Sequence, residues 1–322
     1  MKMTIRLLAI ITVMALSMSS FAQTKDDAVN AFNKAVTLAS TDLLQAVNSM
    51  KESAAIAAKV GPEADTIGQM AQEQIPILQY NYATALYKEK KIDEAIANFI
   101  TARDYSVQYN DKSTQAKAED LLPKLYLSKG VNEYKASQFD AAVASYAKAL
   151  EFDSTMARAW LNMGLAYKKM DKDNEMYRAM DKAIEKGLST NDEKTVESAR
   201  KTMSDDLLVS ANNAFKKNDF NTTNSQLEKA LLYNDKNPEI YYLQAVALNK
   251  LSKYDEAFAQ AEKGLSVEED TPAKKARFYF EIGNAQAGKG ENGNACASYK
   301  KAAVGPFMES ANYQIKNVLK CS

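Results

Sequence analysis

The sequence has no histidine, only two cysteines, one tryptophan and few residues that break helices. Without histidine there is no Ser–His or Cys–His dyad, no imidazole metal ligand and no side chain that titrates unperturbed near neutrality. Two cysteines cannot build a thiolate zinc site. Glycine (11) and proline (6) together make about 5% of the 322 residues, against about 12% in ordinary chains. That scarcity argues against a turn-rich β sandwich and for long helices. An excess of one charge is lacking too, since 41 basic residues meet 41 acidic ones. A nucleic-acid partner would favour a basic face, so none is expected. There is no Gly-rich phosphate loop, no Gly-x-Ser-x-Gly elbow and no paired ligand spacing. The Asp171-Lys172-Asp173-Asn174 run lacks the Gly and the distal Glu of an EF-hand loop. These absences lead to the expectation of a non-enzymatic protein with no cofactor and no metal.

What is present begins with an address. Lys2 and Arg6 precede an apolar run from Leu7 to Met18, and Ser20-Phe21-Ala22 offers small residues at −3 and −1 of a cut before Gln23. That is the tripartite secretory signal. The run is too short to span about 30 Å of hydrocarbon comfortably. No cysteine lies at the cut, which closes the lipoprotein route. The expectation is cleavage after Ala22, a periplasmic or secreted product, and no transmembrane segment once the signal is gone.

The body repeats itself. Trp160 is followed by Met163-Gly164, Tyr167 and Ala183. With Ala157 as position 1, these fall at positions 4, 7, 8, 11 and 27. From Pro123, the same frame catches Tyr126, Gly130, Ala142, Tyr146 and Ala149. From Pro238 it catches Tyr241, Ala245, Leu248, Ala257 and Gly264, and from Ala276 it catches Tyr279, Gly283, Ala295, Tyr299 and Ala302. Frames from Pro76 and Ser204 fit as well, and a degenerate one starts near residue 27 with Ala46 and Met50 at positions 20 and 24. This pattern resembles the tetratricopeptide (TPR) repeat, a helix–turn–helix unit. Positions 8, 20 and 27 are small because two helices meet there, and positions 4, 7, 11 and 24 are the large side chains that fill the gaps. One pair cannot bury its apolar face alone, so pairs stack. The expected fold is all-α: an α-α superhelix (solenoid) of six to seven TPR-like helix pairs over residues 23–307, starting near 27, 76, 123, 157, 204, 238 and 276. A capping helix follows at 308–322. Asp93, Asp140 and Asp255 are expected to cap the second helices.

The repeat starts at 76, 123, 157, 204 and 238 alternate in spacing between 47 and 34 residues. Asn110-Asp111, Thr114 and Ala118 return 81 residues later as Asn191-Asp192, Thr195 and Ala199. This reads as a duplicated two-repeat unit. The extra 13 residues per unit correspond to about 20 Å of helix, split over two adjacent helices. Cys296 falls on the second helix of the last repeat and Cys321 near the end of the chain. Antiparallel helices about a loop at 304–308 would bring the two within about one turn of each other. An exported chain with an even cysteine count favours a bridge. The alternative is two unpaired thiols.

The TPR resemblance implies a concave wall built from first helices. The residues it points to are Tyr80, Tyr87, Lys88, Tyr134, Lys135, Arg158, Asn162, Lys169, Asn212, Phe215, Lys216, Tyr242 and Lys250. Lysine occupies position 13 in five successive repeats, Lys88 through Lys250. It reads either as a ladder for an acidic peptide or C-terminal carboxylate, or as a solvated charge favourable to the helix dipole. The aromatics read either as recognition residues or as repeat packing. The carboxylate clamp of chaperone-type members is absent, because Leu127 and Val131 stand where it needs Lys and Asn. The implied function is a non-catalytic scaffold that binds a protein or peptide of the cell envelope. The alternative is an envelope glycan or small-ligand binder.

Overall fold

The structure is a computed structural model and describes residues 23–269 and 271–321. The export signal and its cut after Ala22 lie outside the described residues. Among the described residues every regular element is helical and there is no strand. None of these helices is long and apolar enough to cross a membrane.

The chain divides into two compact units, one ending at Leu125 and the other beginning at Tyr126. The first holds α1 (Lys25–Leu38), α2 (Leu43–Val60), α3 (Asp65–Lys88), α4 (Ile92–Gln108) and the first half of α5 (Lys112–Lys135). A capping box starts it: Thr24 Oγ1 accepts from the Asp27 amide at 3.2 Å, and the Asp27 carboxylate accepts from the Thr24 amide at 2.9 Å. From α1 to α4 consecutive helices pack on one another, and α1, α2 and α3 share a core of Ala35, Ala46, Val47, Met50, Ala71, Ile75 and Leu78. The degenerate first frame therefore has its small and large residues, Ala46 and Met50, in the core.

The second unit continues with α6 (Phe139–Phe152), α7 (Ala157–Lys169), α8 (Asp173–Thr190), α9 (Glu193–Lys216), α10 (Phe220–Tyr233), α11 (Pro238–Lys250), α12 (Tyr254–Val267), α13 (Pro272–Gly288) and α14 (Asn292–Ala302). Thr271 is the cap residue of α13 and Pro272 opens it. The neighbouring Asp270 lies outside the described residues. The last stretch is helical from Met308, as α15 (Met308–Tyr313), and passes into a π turn over Gln314–Val318. A disulfide between Cys296 and Cys321, with Cα atoms 5.9 Å apart, ties this end to α14.

Small residues make the close packing within each pair. A Cβ on Gly130 would lie 2.5 Å from Cε1 of Tyr146, and one on Gly283 would lie 2.7 Å from the same atom of Tyr299. Positions 8 and 24 of a repeat thus share one fixed volume, and glycine at the first admits a ring at the second. The 0% exposed alanines at positions 20 and 27 (Ala142, Ala149, Ala183, Ala230, Ala295 and Ala302 among them) complete the joint.

The six first helices α3, α5, α7, α9, α11 and α13 end the same way. Two residues past the last helical residue of each the backbone is left-handed: Lys90, Ser137, Asp171, Asn218, Ser252 and Gly290. The next residue then donates back into the helix, as Gln138 to the Glu133 carbonyl and Lys253 to the Leu248 carbonyl, both at 2.9 Å. This closes the helix end in the manner of a Schellman motif. It also corrects the expected caps. The tight turn places the second helix's N-cap on the residue just after the left-handed one, namely Lys91, Gln138, Lys172, Asp219, Lys253 or Glu291. Asp93, Asp140 and Asp255 are therefore first-turn acids that favour the helix dipole. Only Asp219 of this set caps by side chain, accepting from Thr222 N at 3.0 Å.

The duplication is visible in helix length. α4 and α5 have 17 and 24 residues, and α8 and α9 have 18 and 24, whereas α6, α7, α10 and α11 have 13 or 14. Asn110 and Asn191 are both left-handed, and Asp111 and Asp192 accept from the amides of Thr114 and Thr195 at 3.0 and 3.1 Å. α2 and α3, with 18 and 24 residues, form a third such pair. The frame from Pro76 misses the first half of α3, because Pro76 lies inside that helix, as Pro123 lies inside α5.

Candidate functional site: the first-helix wall

The wall residues are held by the helix ends and turns just described. Lys88, Lys135, Lys169, Lys216 and Lys250 are each the last residue of a first helix, and all five are exposed. Cations there are stabilised by the carbonyl end of the helix by about 0.3–1 kcal/mol each. Lys135, Lys169, Lys216 and Lys250 occupy this seat in the second unit, and Lys88 does so in the first. Arg158 is exposed near the start of α7.

Four of the aromatic candidates are half-buried and engaged with other rings. Tyr80 meets Phe99 edge-on at 5.1 Å, Tyr134 meets Phe139 at 5.4 Å, Phe215 meets Phe220 at 5.4 Å and Tyr242 meets Phe278 at 6.0 Å. The Tyr134 and Phe215 contacts cross the intra-repeat turn, so these rings pack the repeat while keeping one edge at the surface. Tyr87 is 42% exposed. Asn162 is half-buried on α7, and the Asn212 amide donates to the Leu208 carbonyl of its own helix at 3.0 Å. Within the second unit the candidates lie along successive first helices, where α7 touches α9 and α11 touches α13.

The last two first helices carry a polar network that the sequence reading did not single out. Glu281 is 5% exposed. Its carboxylate accepts from Asn249 Nδ2 at 2.9 Å and from Asn284 Nδ2 at 3.0 Å, and Tyr299 donates its hydroxyl to Asn284 Oδ1 at 2.8 Å. Asn249 also donates to the Glu281 carbonyl at 3.0 Å, while its own Oδ1 is buried without a partner. Burial pushes the Glu281 carboxyl up from its ordinary range, against the pull of Asn249, Asn284 and the Lys250 charge. Tyr242 is pushed up to about 12, mainly by burial and then by Glu281 and Glu239, with Arg277 opposing. Arg277 pairs with Glu268 at 2.9 Å and with Glu239, and its guanidinium lies 5.1 Å from the Tyr242 ring and 4.9 Å from the Phe278 ring. The available signal was positional. Arg277, Glu281 and Asn284 fall at positions 2, 6 and 9 of the repeat from Ala276, the same wall positions that pointed to Arg158, Asn162 and Asn212.

Sequence profiles described as TPR repeat and tetratricopeptide repeat match residues 130–171 and 208–273. No protein of curated function matches the chain. Among solved structures, a MamA protein is 21% identical over 62% of this chain and 97% of its own, with a TM-score of 0.34. YrrB, described as a TPR protein with an unusual peptide-binding site, is 20% identical over 65% and 94%, with a TM-score of 0.33. A tetratricopeptide repeat protein from Parabacteroides merdae is 19% identical over 92% and 96%, with a TM-score of 0.28.

Proposed function

Because the chain is a tetratricopeptide repeat protein, we propose that it works as an exported scaffold. It would hold an extended segment of an envelope protein against the first helices of its second unit. Binding would proceed by burial and hydrogen bonding, without chemistry on the partner. The observation that carries this reading is the row of equivalent seats on α5, α7, α9 and α11. Each ends in an exposed lysine, and half-buried polar or aromatic side chains such as Asn162, Asn212 and Tyr242 precede it. Fixed cations beside half-buried amides and rings suit a segment that brings carboxylates and a few apolar anchors. Export rests on the Lys2-to-Ala22 pattern in the sequence.

The test is site-specific photo-crosslinking in cells. A crosslinker at Asn162 or Asn212 should capture a protein partner, whereas one at the exposed second-helix residues Lys148 or Glu262 should not. Lys169→Glu with Lys216→Glu should lower the yield. Equal capture from both sets of positions would sink the groove reading. Recovery of uncleaved chain from the cytosol would sink the export reading.

A further inference from the structure

The single tryptophan of the chain lines a cavity. On the flank of α7 and α8 an opening of about 610 Å³ has Trp160, Met163 and Tyr167 on the α7 side. These stand at i, i+3 and i+7 and so share one helix face. Met163 is buried, while Trp160 and Tyr167 are half-buried, shared between the core and the opening. The Trp160 indole N–H is directed to the Ser154 carbonyl at 3.4 Å. The opposite side is a charged rim from α8 that includes Glu175, Arg178, Lys182 and Glu185. Lys182 and Glu185 pair at 2.7 Å, and Lys186 holds Glu185 from its other side at 2.8 Å. Glu175 and Arg178, both exposed, bring an acceptor and a donor fork to the same rim.

The duplicated unit supplies an internal control. Eighty-one residues on, Tyr241, Gln244 and Leu248 stand where Trp160, Met163 and Tyr167 do, and Ala259 and Ser266 replace Arg178 and Glu185. Gln244 is 2% exposed and donates to Asn224 at 3.0 Å, so its side chain is committed to the interior. Glu256 and Lys263 keep the charges of Glu175 and Lys182, so what belongs to this repeat and not to the repeat type is the Trp160, Met163 and Tyr167 floor together with Arg178 and Glu185.

The chemistry selects a ligand. Acids and bases interleave along the rim, so a strongly charged ligand of either sign would meet a like charge. A wholly apolar ligand would cover Glu175 and Arg178 without satisfying them. A ring that is apolar on its face and hydroxylated around its edge meets both walls, stacking on Trp160 and Tyr167 while its hydroxyls reach Glu175 and Arg178. A volume of about 610 Å³ is within the usual range for small-ligand pockets, roughly 300–1,000 Å³. We propose that the α7–α8 cavity is a saccharide-binding site for a neutral oligosaccharide, separate in location from the first-helix wall.

Trp160 is the only tryptophan, so tryptophan emission comes from a residue that lines this cavity. The mature full chain is titrated with maltose, cellobiose and N,N′-diacetylchitobiose up to tens of millimolar. At least one should give a saturable change in emission. Glu175→Ala and Arg178→Ala, both at exposed positions, should each weaken that response about tenfold while circular dichroism stays unchanged. Trp160→Phe should still bind by calorimetry, with weaker affinity. The proposal is overturned if none of the three sugars gives a saturable change, or if the change survives in the Glu175→Ala/Arg178→Ala double variant. It is equally overturned if only a peptide elicits the response. The crosslinks from Asn162 and Asn212 read the wall independently, so the two readings fail separately.

Discussion

Replacing Gly130 by alanine adds one methyl group where α6 leaves no room for it. The new Cβ would stand 2.5 Å from Cε1 of Tyr146, 2.7 Å from Cδ1 and 3.1 Å from Cζ. Tyr146 is 1% exposed and cannot swing into solvent. To reach ordinary contact near 3.5 Å the ring must retreat by about 1 Å into a close-packed core, and overpacking of that kind costs about 1–3 kcal/mol. Ala83 coexists with Phe99 at the corresponding places in α3 and α4, both 0% exposed, so the joint can open somewhat and the lower half of that range applies. Against this, alanine gains about 1 kcal/mol over glycine in a helix interior. The net effect in the natural background is then a loss of about 1 kcal/mol or less, and the sharper quantity is the coupling. In a Tyr146→Leu background the clash is gone, as where Ala211 and Leu227 fill the same two positions at 0% exposure. There, Gly130→Ala should stabilise by about 1 kcal/mol. Urea unfolding of the four proteins, followed by far-UV circular dichroism, closes the cycle. Coupling below about 0.5 kcal/mol, or alanine stabilising both backgrounds alike, would refute the claim that positions 8 and 24 share one fixed volume.

The remaining predictions are briefer. Glu281 has a carboxyl pKa raised from 4.5 by burial, so it favours the fold when protonated; that contribution is full below its unfolded pKa and is lost as pH rises through its folded pKa. Glu281→Gln should therefore raise the melting temperature at pH 7–8 and leave it unchanged near pH 4, and a larger gain at acid pH would contradict the burial argument. The bridge between Cys296 and Cys321 closes a separation of 25 residues, worth about 3.5 kcal/mol in the chain-entropy model. Because repeats are coupled chiefly to their neighbours, Cys321→Ser should speed amide exchange over residues 308–319 and spare α7 and α8; uniform loss of protection would count against this. Ser137 and Ser252 hold left-handed backbone at φ 60° and 58°, where glycine relieves the Cβ clash. Each change to glycine should stabilise by about 0.5–1 kcal/mol in urea melts, and a loss at both sites would count against the turn geometry.

Much of this protein was legible before any coordinates. The helix-pair architecture and the lengthening at the 81-residue recurrence follow from local rules, and the bridge between Cys296 and Cys321 was the favoured of two readings. A glycine at position 8, an Asn-Asp cap at 110 or 191 and an 81-residue recurrence are each set by residues close in the chain. The site was less legible. Asn162 and Lys169 could be placed on a first helix by counting, but counting does not say which ring a tyrosine meets. Tyr134 and Phe215 turned out to pack across their own turns at 5.4 Å. Glu281 gained its buried environment from Asn249 on another helix, 32 residues away.

The sequence by itself determined that the chain would be helical, where its repeated helix pairs recur and which small residues meet at their joints. Those choices depend on backbone propensity and on side-chain volume at a fixed period, and both are properties of short segments. Only the tertiary structure decided which polar groups are buried with partners, which rings are spent on packing, and that Trp160 borders an opening rather than lying wholly in the core. Those outcomes depend on the angle and distance at which helices remote in sequence meet.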